Sequence, residues 1–236
     1  LNAIDSTNSF LKEMARKTSL KNYTVVSTNE QTKGRGQFNS SWSSEPSKNL
    51  TISVFIKDFN LAIANQKYLN FAVSLAVFDV LYTYLKDTVS IKWPNDILSV
   101  EKKICGILIE NSIQQDKINH TIVGIGLNVN QENFSNDLIK VTSLKLATNR
   151  EFNLDILLLK LIESIKKRIS QLSSREYEKL ELEYLNALYK KDCQATFIDH
   201  QNNLFIGKII GISETGKLQI KLDENRVKEF GIKEVS

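Results

Sequence analysis

The chain has 236 residues, of which 42% are apolar and 25% are charged, and its formal net charge is +4 at pH 7. This is the composition of a folded protein of one or two domains, and its lysines are spread too evenly to indicate nucleic-acid binding. The two cysteines and two histidines follow no metal spacing, no run of about eighteen apolar residues is present, and charges interrupt the first twenty residues. We therefore expect no metal centre, membrane span or signal peptide, and a cytoplasmic protein with reduced cysteines.

Polar residues precede the first amphipathic segment. The stretch 6–8 (Ser-Thr-Asn) comes just before Phe10, Leu11 and Met14, whose spacing predicts a helix. The purely structural interpretation is that Asp5, Ser6 or Asn8 caps this helix. The alternative is that the hydroxyls and the helix N-terminus hold a small polar ligand.

A long loop, 29–48, follows the first strand and shows no apolar periodicity. Loops of this length in compact domains are usually functional or disordered. Gly34 and Gly36 permit positive φ angles, so their N–H groups could form an anion-binding nest, with Arg35 reaching a phosphate or carboxylate. A flexible turn explains the same residues. Trp42 either anchors the loop or stacks on a base.

The middle of the chain combines a strand, a helix and a hairpin. Residues 49–56 alternate as a strand should, and residues 66–86 form a helix that is apolar on more than one side, which predicts burial against a sheet. The segment 92–96 (Lys-Trp-Pro-Asn-Asp) then ends a strand, because Pro94 cannot continue it. Lys92 at that strand end faces either a site or water.

Two further strands, 103–113 and 121–130, complete the predicted sheet. Gly124 and Gly126 lie two residues apart on one face of the second strand. Glycines weaken a strand, so either a ligand comes close to that face or tight packing requires them.

The C-terminal part changes character after two helices. Residues 154–172 form an amphipathic helix and 174–191 a charged one, after which only short strands and turns remain. We predict an α+β fold with a catalytic domain over 1–190 and a small docked barrel over 191–236.

The order of these features resembles the biotin protein ligases, also called biotin–[acetyl-CoA-carboxylase] ligases. The resemblance spans essentially the whole chain and implies a mixed or antiparallel sheet with packed helices, as in class II aminoacyl-tRNA synthetases and biotin–lipoate ligases, plus a C-terminal SH3-like barrel. It also implies a chain that begins at the catalytic domain, without a DNA-binding domain. The matching stretches are 5–8, 31–36, Trp42, 92–96, 106–110 and 124–128.

The resemblance implies a reaction in two steps. Biotin and ATP would form biotinyl-5′-AMP with Mg²⁺, and the biotin would then pass to a lysine of a biotin carboxyl carrier domain. Lys92 and Arg35 would be catalytic, because fixed cations can stabilise the charge that develops in both steps. The biotin site would comprise Ser6, Thr7, Asn8, Gln31, Gly34, Arg35, Gly36, Gln37, Lys92, Gly106, Gly124 and Gly126. The ATP or adenylate site would comprise Arg35, Trp42, Asn95, Asp96 and Asn128, with Asn128 also a candidate Mg²⁺ contact.

One departure and three alternatives stay open. Family members often carry an arginine where this chain has Gln37, which puts tight retention of the adenylate in doubt. A lipoate–protein ligase is the nearest alternative, although lipoyl lacks the ureido ring that the Ser-Thr-Asn group and Gln31 would bind. A non-enzymatic nucleic-acid-binding protein is disfavoured by the charge balance. A homodimer through the strand 119–130 is a further alternative.

Overall fold

The computed structural model describes residues 1–38, 40–135 and 140–236. Its centre is a six-stranded antiparallel sheet with the strand order β2-β4-β8-β7-β6-β5. A short parallel pair, β1 (Ala3–Ile4) with β3 (Glu30–Gln31), ties the N-terminus to the loop. The sheet strands are β2 (Thr24–Thr28), β4 (Leu50–Ala62), β5 (Val89–Lys92), β6 (Asp96–Ser99), β7 (Lys102–Gln114) and β8 (Lys117–Leu127).

Strand alternation gives this sheet two different faces. On one face Ile52, Val54 and Ile107 are at most 2% exposed and belong to the main core. On the other face the register aligns Ser53 with Gly124 and Gly106 with Gly126. This second face therefore carries small and polar residues, which leave room above it.

In the part of the chain that the structure describes, five α-helices pack around the sheet. The predicted core helix is α2, and eleven of its twenty residues are buried. By length and composition alone the segment Ile63–Thr88 could span a membrane, although charged residues interrupt it. In this structure 61% of its most apolar window is buried inside the protein. The helices are α1 (Thr7–Lys17), α2 (Gln66–Leu85), α3 (Leu144–Thr148), α4 (Leu154–Ser173) and α5 (Tyr177–Asn186).

Helix α1 covers only one end of the second face. Its Leu11 packs with Val26, Phe55 and Ile122 in a small separate core. The rest of that face is left to a cavity. The charged helix predicted over 174–191 is shorter than expected, because Arg175 adopts a positive φ of 60° before α5 begins.

A second, four-stranded antiparallel sheet forms the C-terminal part, in the order β12-β11-β10-β9. Its apolar side joins the main core, and Trp93 Nε1 donates to the carbonyl of Gly216 at 3.2 Å. The α+β prediction is confirmed, and four antiparallel strands are compatible with the SH3-like barrel; the boundary at 190/191 stays a prediction. The strands are β9 (Gln194–Ile198), β10 (Leu204–Ile212), β11 (Leu218–Asp223) and β12 (Arg226–Phe230).

Candidate active site

A cavity of about 470 Å³ lies over the glycine-bearing face of the main sheet. It is bounded by the N-terminus of α1, the loop 34–42, the hairpin 92–96 and the tail of the C-terminal sheet. Of the residues that the sequence assigned to the site, all except Gly34 and Asn128 line this cavity. The structure thus brings together segments that are more than 100 residues apart in the chain.

The N-terminus of α1 carries a buried polar cluster rather than an ordinary cap. Ser6 is the N-cap residue, but its side chain makes no capping bond. Instead Gln31 Oε1 accepts hydrogen bonds from the N–H of Thr7 at 2.8 Å and from its hydroxyl at 3.1 Å. Asp5 does bond to the backbone at the start of the helix, because its Oδ1 accepts from the N–H of Ser6 at 2.6 Å. The N–H of Thr7 is taken by Gln31 of β3 and not by Ser6 or Asn8.

The cluster continues into the sheet. The hydroxyl of Ser53, which is fully buried, lies 2.7 Å from Thr7 Oγ1 and is also bonded to Asn8 Oδ1. Asn8 Nδ2 donates to Glu110 Oε2 at 2.8 Å, and Arg35 Nη2 donates to the same oxygen at 2.9 Å. Buried polar groups that are hydrogen-bonded in this way are held in one orientation. The helix terminus, two strands and the loop arginine therefore form one connected network.

The described residues of the loop 34–42 (34–38 and 40–42) form a small hairpin and not an anion nest. Arg35 and Ser41 form an isolated antiparallel bridge, and the N–H of Gly36 donates to the carbonyl of Ser40 at 2.6 Å. Neither Gly34 nor Gly36 adopts a positive φ, which a nest requires. A Cβ on Gly34 would lie 2.2 Å from the carbonyl oxygen of Trp42, so close backbone approach explains that glycine.

Trp42 anchors the loop to the sheet. A Cβ on Gly126 would lie 2.3 Å from the indole Cε2 of Trp42, and a Cβ on Gly106 would lie 3.0 Å from its Cζ3. A Cβ on Gly124 would lie 2.4 Å from Asn8 Oδ1. In this structure the room over Gly124 and Gly126 is therefore taken by protein side chains, although both glycines still line the cavity.

Three lysines line the cavity: Lys233 comes from the C-terminal tail, and Lys92 and Lys103 come from strands of the main sheet. Lys92, at the end of β5, is exposed at the rim. Lys103 lies deeper, with 34% of its side chain exposed, and its Nζ is 2.6 Å from Asp96 Oδ1. The same ammonium lies 5.7 Å from the centre of the Trp42 ring. Of these lysines, the sequence identified only Lys92 as a site residue.

A bulge explains why alternation missed Lys103. Strand β7 pairs Cys105 with Ile97 but Lys103 with Leu98, which leaves Ile104 as an extra residue. An extra residue moves the preceding side chains to the other face of the strand. Strict alternation would have put Lys103 on the face of Cys105, in the core. The sequence also did not assign Glu110 and Ser53 to the site. Glu110 lies in the stretch 106–110, which matches the biotin protein ligases, and Ser53 is a polar residue in an otherwise apolar strand.

The hairpin turn is held by its own polar residues. Asn95 Nδ2 donates to the carbonyl of Ile107 at 2.6 Å, and the carbonyl of Pro94 accepts from Asn70 at 2.7 Å. The side chain of Asn95 thus positions the turn. Asp96 is engaged by Lys103.

Asn128 does not reach the cavity. It is 2% exposed, and its Nδ2 donates to the carbonyl of Thr142 at 3.0 Å. Its backbone N–H bonds to Ile104 and its carbonyl accepts from Leu144. Because strand β8 ends just before it, the chain turns this side chain into the protein, and its predicted contact with ATP or Mg²⁺ has no support here.

Carboxylates near the cavity are few. Asp96 and Asp199 line it, and backbone hydrogen bonding from Asn203 lowers the pKa of Asp199. Within residues 1–38, 40–135 and 140–236 no group of three or more metal-ligating side chains is present. Mg²⁺ usually needs only one or two protein carboxylates when phosphates supply the other oxygens, so Asp96 and Asp199 fit a Mg²⁺ ion that is carried by phosphates.

Comparison with known proteins decides the family. The model of the biotin/lipoate A/B protein ligase family matches residues 1–128, which is more than half of the chain. The chain belongs to this family. Among curated members, the bifunctional ligase/repressor BirA of Bacillus subtilis is 27% identical over 207 residues, covering 85% of this chain and 62% of that protein. BirA of Salmonella typhimurium is 29% identical over 216 residues, covering 90% of this chain and 64% of that protein.

This chain thus spans just under two thirds of the length of these two curated relatives. Among solved structures, the biotin protein ligase of Aquifex aeolicus in complex with biotin and ATP has a TM-score of 0.79 at 28% identity, covering 100% of this chain and 96% of that one. The resemblance to biotin protein ligases that the motifs indicated is therefore confirmed.

Proposed function

We propose that this protein is an ATP-dependent biotin–protein ligase. A biotin carboxylate oxygen would bond to the α-phosphorus of ATP, and pyrophosphate would leave with the electron pair. The neutral amine of a carrier-domain lysine would then attack the acyl carbon, the bond from that carbon to the phosphate oxygen would break, AMP would leave, and the amine proton would go to solvent.

The observation that carries this proposal is a single cavity that joins a buried hydrogen-bonding cluster to a group of cations. Thr7, Asn8 and Gln31 belong to the cluster, Lys92 and Lys103 line the same cavity, and Arg35 is bonded to the cluster through Glu110. A ureido ring needs paired donors and acceptors in a pocket, and a carboxylate with a triphosphate needs positive charge. The solved relative from A. aeolicus is a complex with biotin and ATP.

The lysines would act by electrostatics. Biotin's carboxylate and the α-phosphate are both anionic, and a lysine between two unit negative charges offsets about 4 kcal/mol of repulsion at 4 Å if the effective dielectric constant is near 20. Lys103 is held over the sheet by Asp96, whereas Lys92 stands at the rim. We propose that both contact the reacting groups, with Lys103 as an addition to the residues that the sequence indicated.

The other parts of the proposal follow from this chemistry. Mg²⁺ would supply charge neutralisation on the phosphates, with Asp96 and Asp199 as the protein oxygens within reach of the cavity. Gln37 lines the cavity but brings no charge, so we propose weaker retention of the adenylate than an arginine would give. The acceptor would be a biotin carboxyl carrier domain, and the protein would act in the cytoplasm. The barrel would form a second domain, 191–236, docked on the catalytic domain.

The test is biotin-dependent exchange of pyrophosphate into ATP, with lipoate compared at the same concentration. We expect exchange with biotin and a loss of about 100-fold or more in Lys103→Ala and in Lys92→Ala, as for removal of one oxyanion-type donor. Lys102→Ala is the control, because Lys102 is exposed next to them and does not line the cavity. A less than threefold loss of the exchange rate would show that the substituted lysine has no catalytic role. Exchange that occurs with lipoate but not with biotin would overturn the proposed substrate.

A further inference from the structure

Strands β9 and β10 carry three exposed apolar side chains on the outer face of the C-terminal sheet. Ile198, Leu204 and Ile206 are 42%, 70% and 57% exposed. Leu204 pairs directly with Ile198 across the strands, and Ile206 follows two residues later, so all three share one face. Phe197 and Phe205 point to the opposite face, where their rings lie 5.6 Å apart inside the sheet. These three residues, named here the β9–β10 patch, therefore add nothing to the core.

The β9–β10 patch is continuous with the mouth of the cavity. Ile198 lines the cavity, as does the adjacent Asp199, which bridges to Val235 in the tail. From the same tail, Lys233 Nζ donates to the carbonyl of Phe38 in the loop at 2.9 Å. A protein that reaches into the cavity at this rim meets the patch first. Contiguous exposed apolar residues at such a place indicate an interaction surface more than scattered ones do.

The charge beside the patch is positive. Lys208 continues the same face two residues beyond Ile206, and it stands directly opposite Lys221 on β11. Like charges directly opposite each other destabilise a sheet. Among the described residues no carboxylate lies within salt-bridge distance of either lysine. The pair is suited to carboxylates that another molecule supplies.

We propose that the β9–β10 patch docks the protein domain that presents the acceptor lysine, through an apolar spot with carboxylates beside it. The inference rests on the proposed function. A lysine ammonium ends a four-carbon stem, so the backbone of the acceptor has to come close to the mouth for its amine to reach the acyl carbon. Its surface then meets the rim at Ile198, and Leu204 and Ile206 extend that contact outward.

The experiment separates docking from chemistry with the double variant Leu204→Ser/Ile206→Ser. Pyrophosphate exchange reports adenylation, hydroxylamine in place of the acceptor reports acyl release to a small nucleophile, and labelled-biotin transfer to a carrier domain reports docking. We expect exchange and hydroxamate formation within twofold of wild type, and at least a tenfold lower kcat/KM for the carrier domain, mainly through KM. Lys208→Glu should raise KM for an acidic carrier domain in the same way.

The matched control is Ile156→Ser/Leu159→Ser on α4, where the side chains are 54% and 66% exposed and do not line the cavity. An unchanged kcat/KM in the patch variant, or an equal loss in the control, would overturn the docking proposal. A change from dimer to monomer in the patch variant, measured by sedimentation, would assign the face to a second copy and overturn it too. Failure of wild type to exchange pyrophosphate with biotin would refute the proposed function itself, and docking of the acceptor with it.

Discussion

At the scale of single residues, the site depends on what stands above three glycines. Gly106 and Gly126 are cross-strand partners, and Trp42 lies on both. Gly124 is covered by Asn8, which is held by Ser53 and Glu110. These glycines are not needed for unusual backbone angles. They are needed because side chains from the loop and from α1 come within contact distance of the strand.

A methyl group at Gly126 is predicted to displace the indole of Trp42. The added Cβ would lie 2.3 Å from a ring atom, and such overpacking typically costs about 1–3 kcal/mol. We expect Gly126→Ala to lower the free energy of unfolding by that amount and to change the tryptophan fluorescence. Gly211→Ala is the control, because a Cβ there meets only Gln219 Oε1 at 3.4 Å. Identical behaviour of the two variants would contradict the placement of Trp42.

The two cysteines are predicted to differ in reactivity. Burial raises the pKa of the Cys105 thiol well above its ordinary range, whereas Cys193 is exposed. Only the thiolate reacts with alkylating agents. We expect iodoacetamide at pH 8 to label one site, Cys193, in the native protein and both cysteines after denaturation, as mass spectrometry would show. Native labelling of Cys105 would mean that the core behind the cavity is open.

At the scale of elements, the loop 34–42 is the part most suited to closing the site. It is a short hairpin held to the sheet by Trp42 and to the C-terminal tail by the bond from Lys233 to Phe38. The bond from Lys233 is made by one group at the surface and opens at little cost, whereas the half-buried indole of Trp42 is the contact that has to be released for a larger opening. Closure over an adenylate would exclude the water that hydrolyses it.

Closure of this loop predicts protection from protease. We expect biotin plus ATP to slow tryptic cutting at Arg35 by at least about tenfold, because opening would then require release of the ligand. Arg175 is the internal control, since it is exposed in the turn before α5 and away from the cavity. Equal cutting rates at Arg35 with and without ligands would contradict the hypothesis that this loop closes over the adenylate.

At the scale of the whole molecule, three helices are joined behind the sheet by one cation. Arg168 on α4 is 6% exposed and binds both carboxylate oxygens of Asp79 on α2 at 2.8 Å. It also bonds to Glu183 on α5. Since α2 also packs against the hairpin strands, this ion network supports the wall of the site from outside.

Removal of this cation is predicted to destabilise the protein. In Arg168→Leu two carboxylates would lose their partner, and breaking a buried pair costs about 3–5 kcal/mol. Because Asp79 and Glu183 are 30% and 34% exposed, we expect a smaller loss of about 2–3 kcal/mol in the free energy of unfolding by urea. Lys145→Leu, which removes a cation from two exposed carboxylates, should change stability far less. Equal losses would contradict the burial argument.

The sequence by itself determined the class of fold and most of the site's membership. Alternation over 49–56 and 121–130 predicted strands, the two-sided apolar pattern of 66–86 predicted the core helix, and the Lys-Trp-Pro-Asn-Asp hairpin predicted the family. These are local properties, because helix and strand periods follow from backbone geometry alone. A polar residue that lies next to such a pattern in the sequence can be predicted as a site residue before its contacts in the folded protein are known.

Only the tertiary structure decided which way particular side chains face and what they touch. The bulge at Ile104 turns Lys103 into the cavity, and the side chain of Asn128 turns into the protein. Gln31 accepts a hydrogen bond from the N–H of Thr7 at the start of α1, 24 residues away in the chain. Each outcome depends on register or on contacts between distant segments, which no local period encodes. The same holds for the β9–β10 patch, since its nearness to the cavity exists only once the C-terminal sheet has packed against the hairpin.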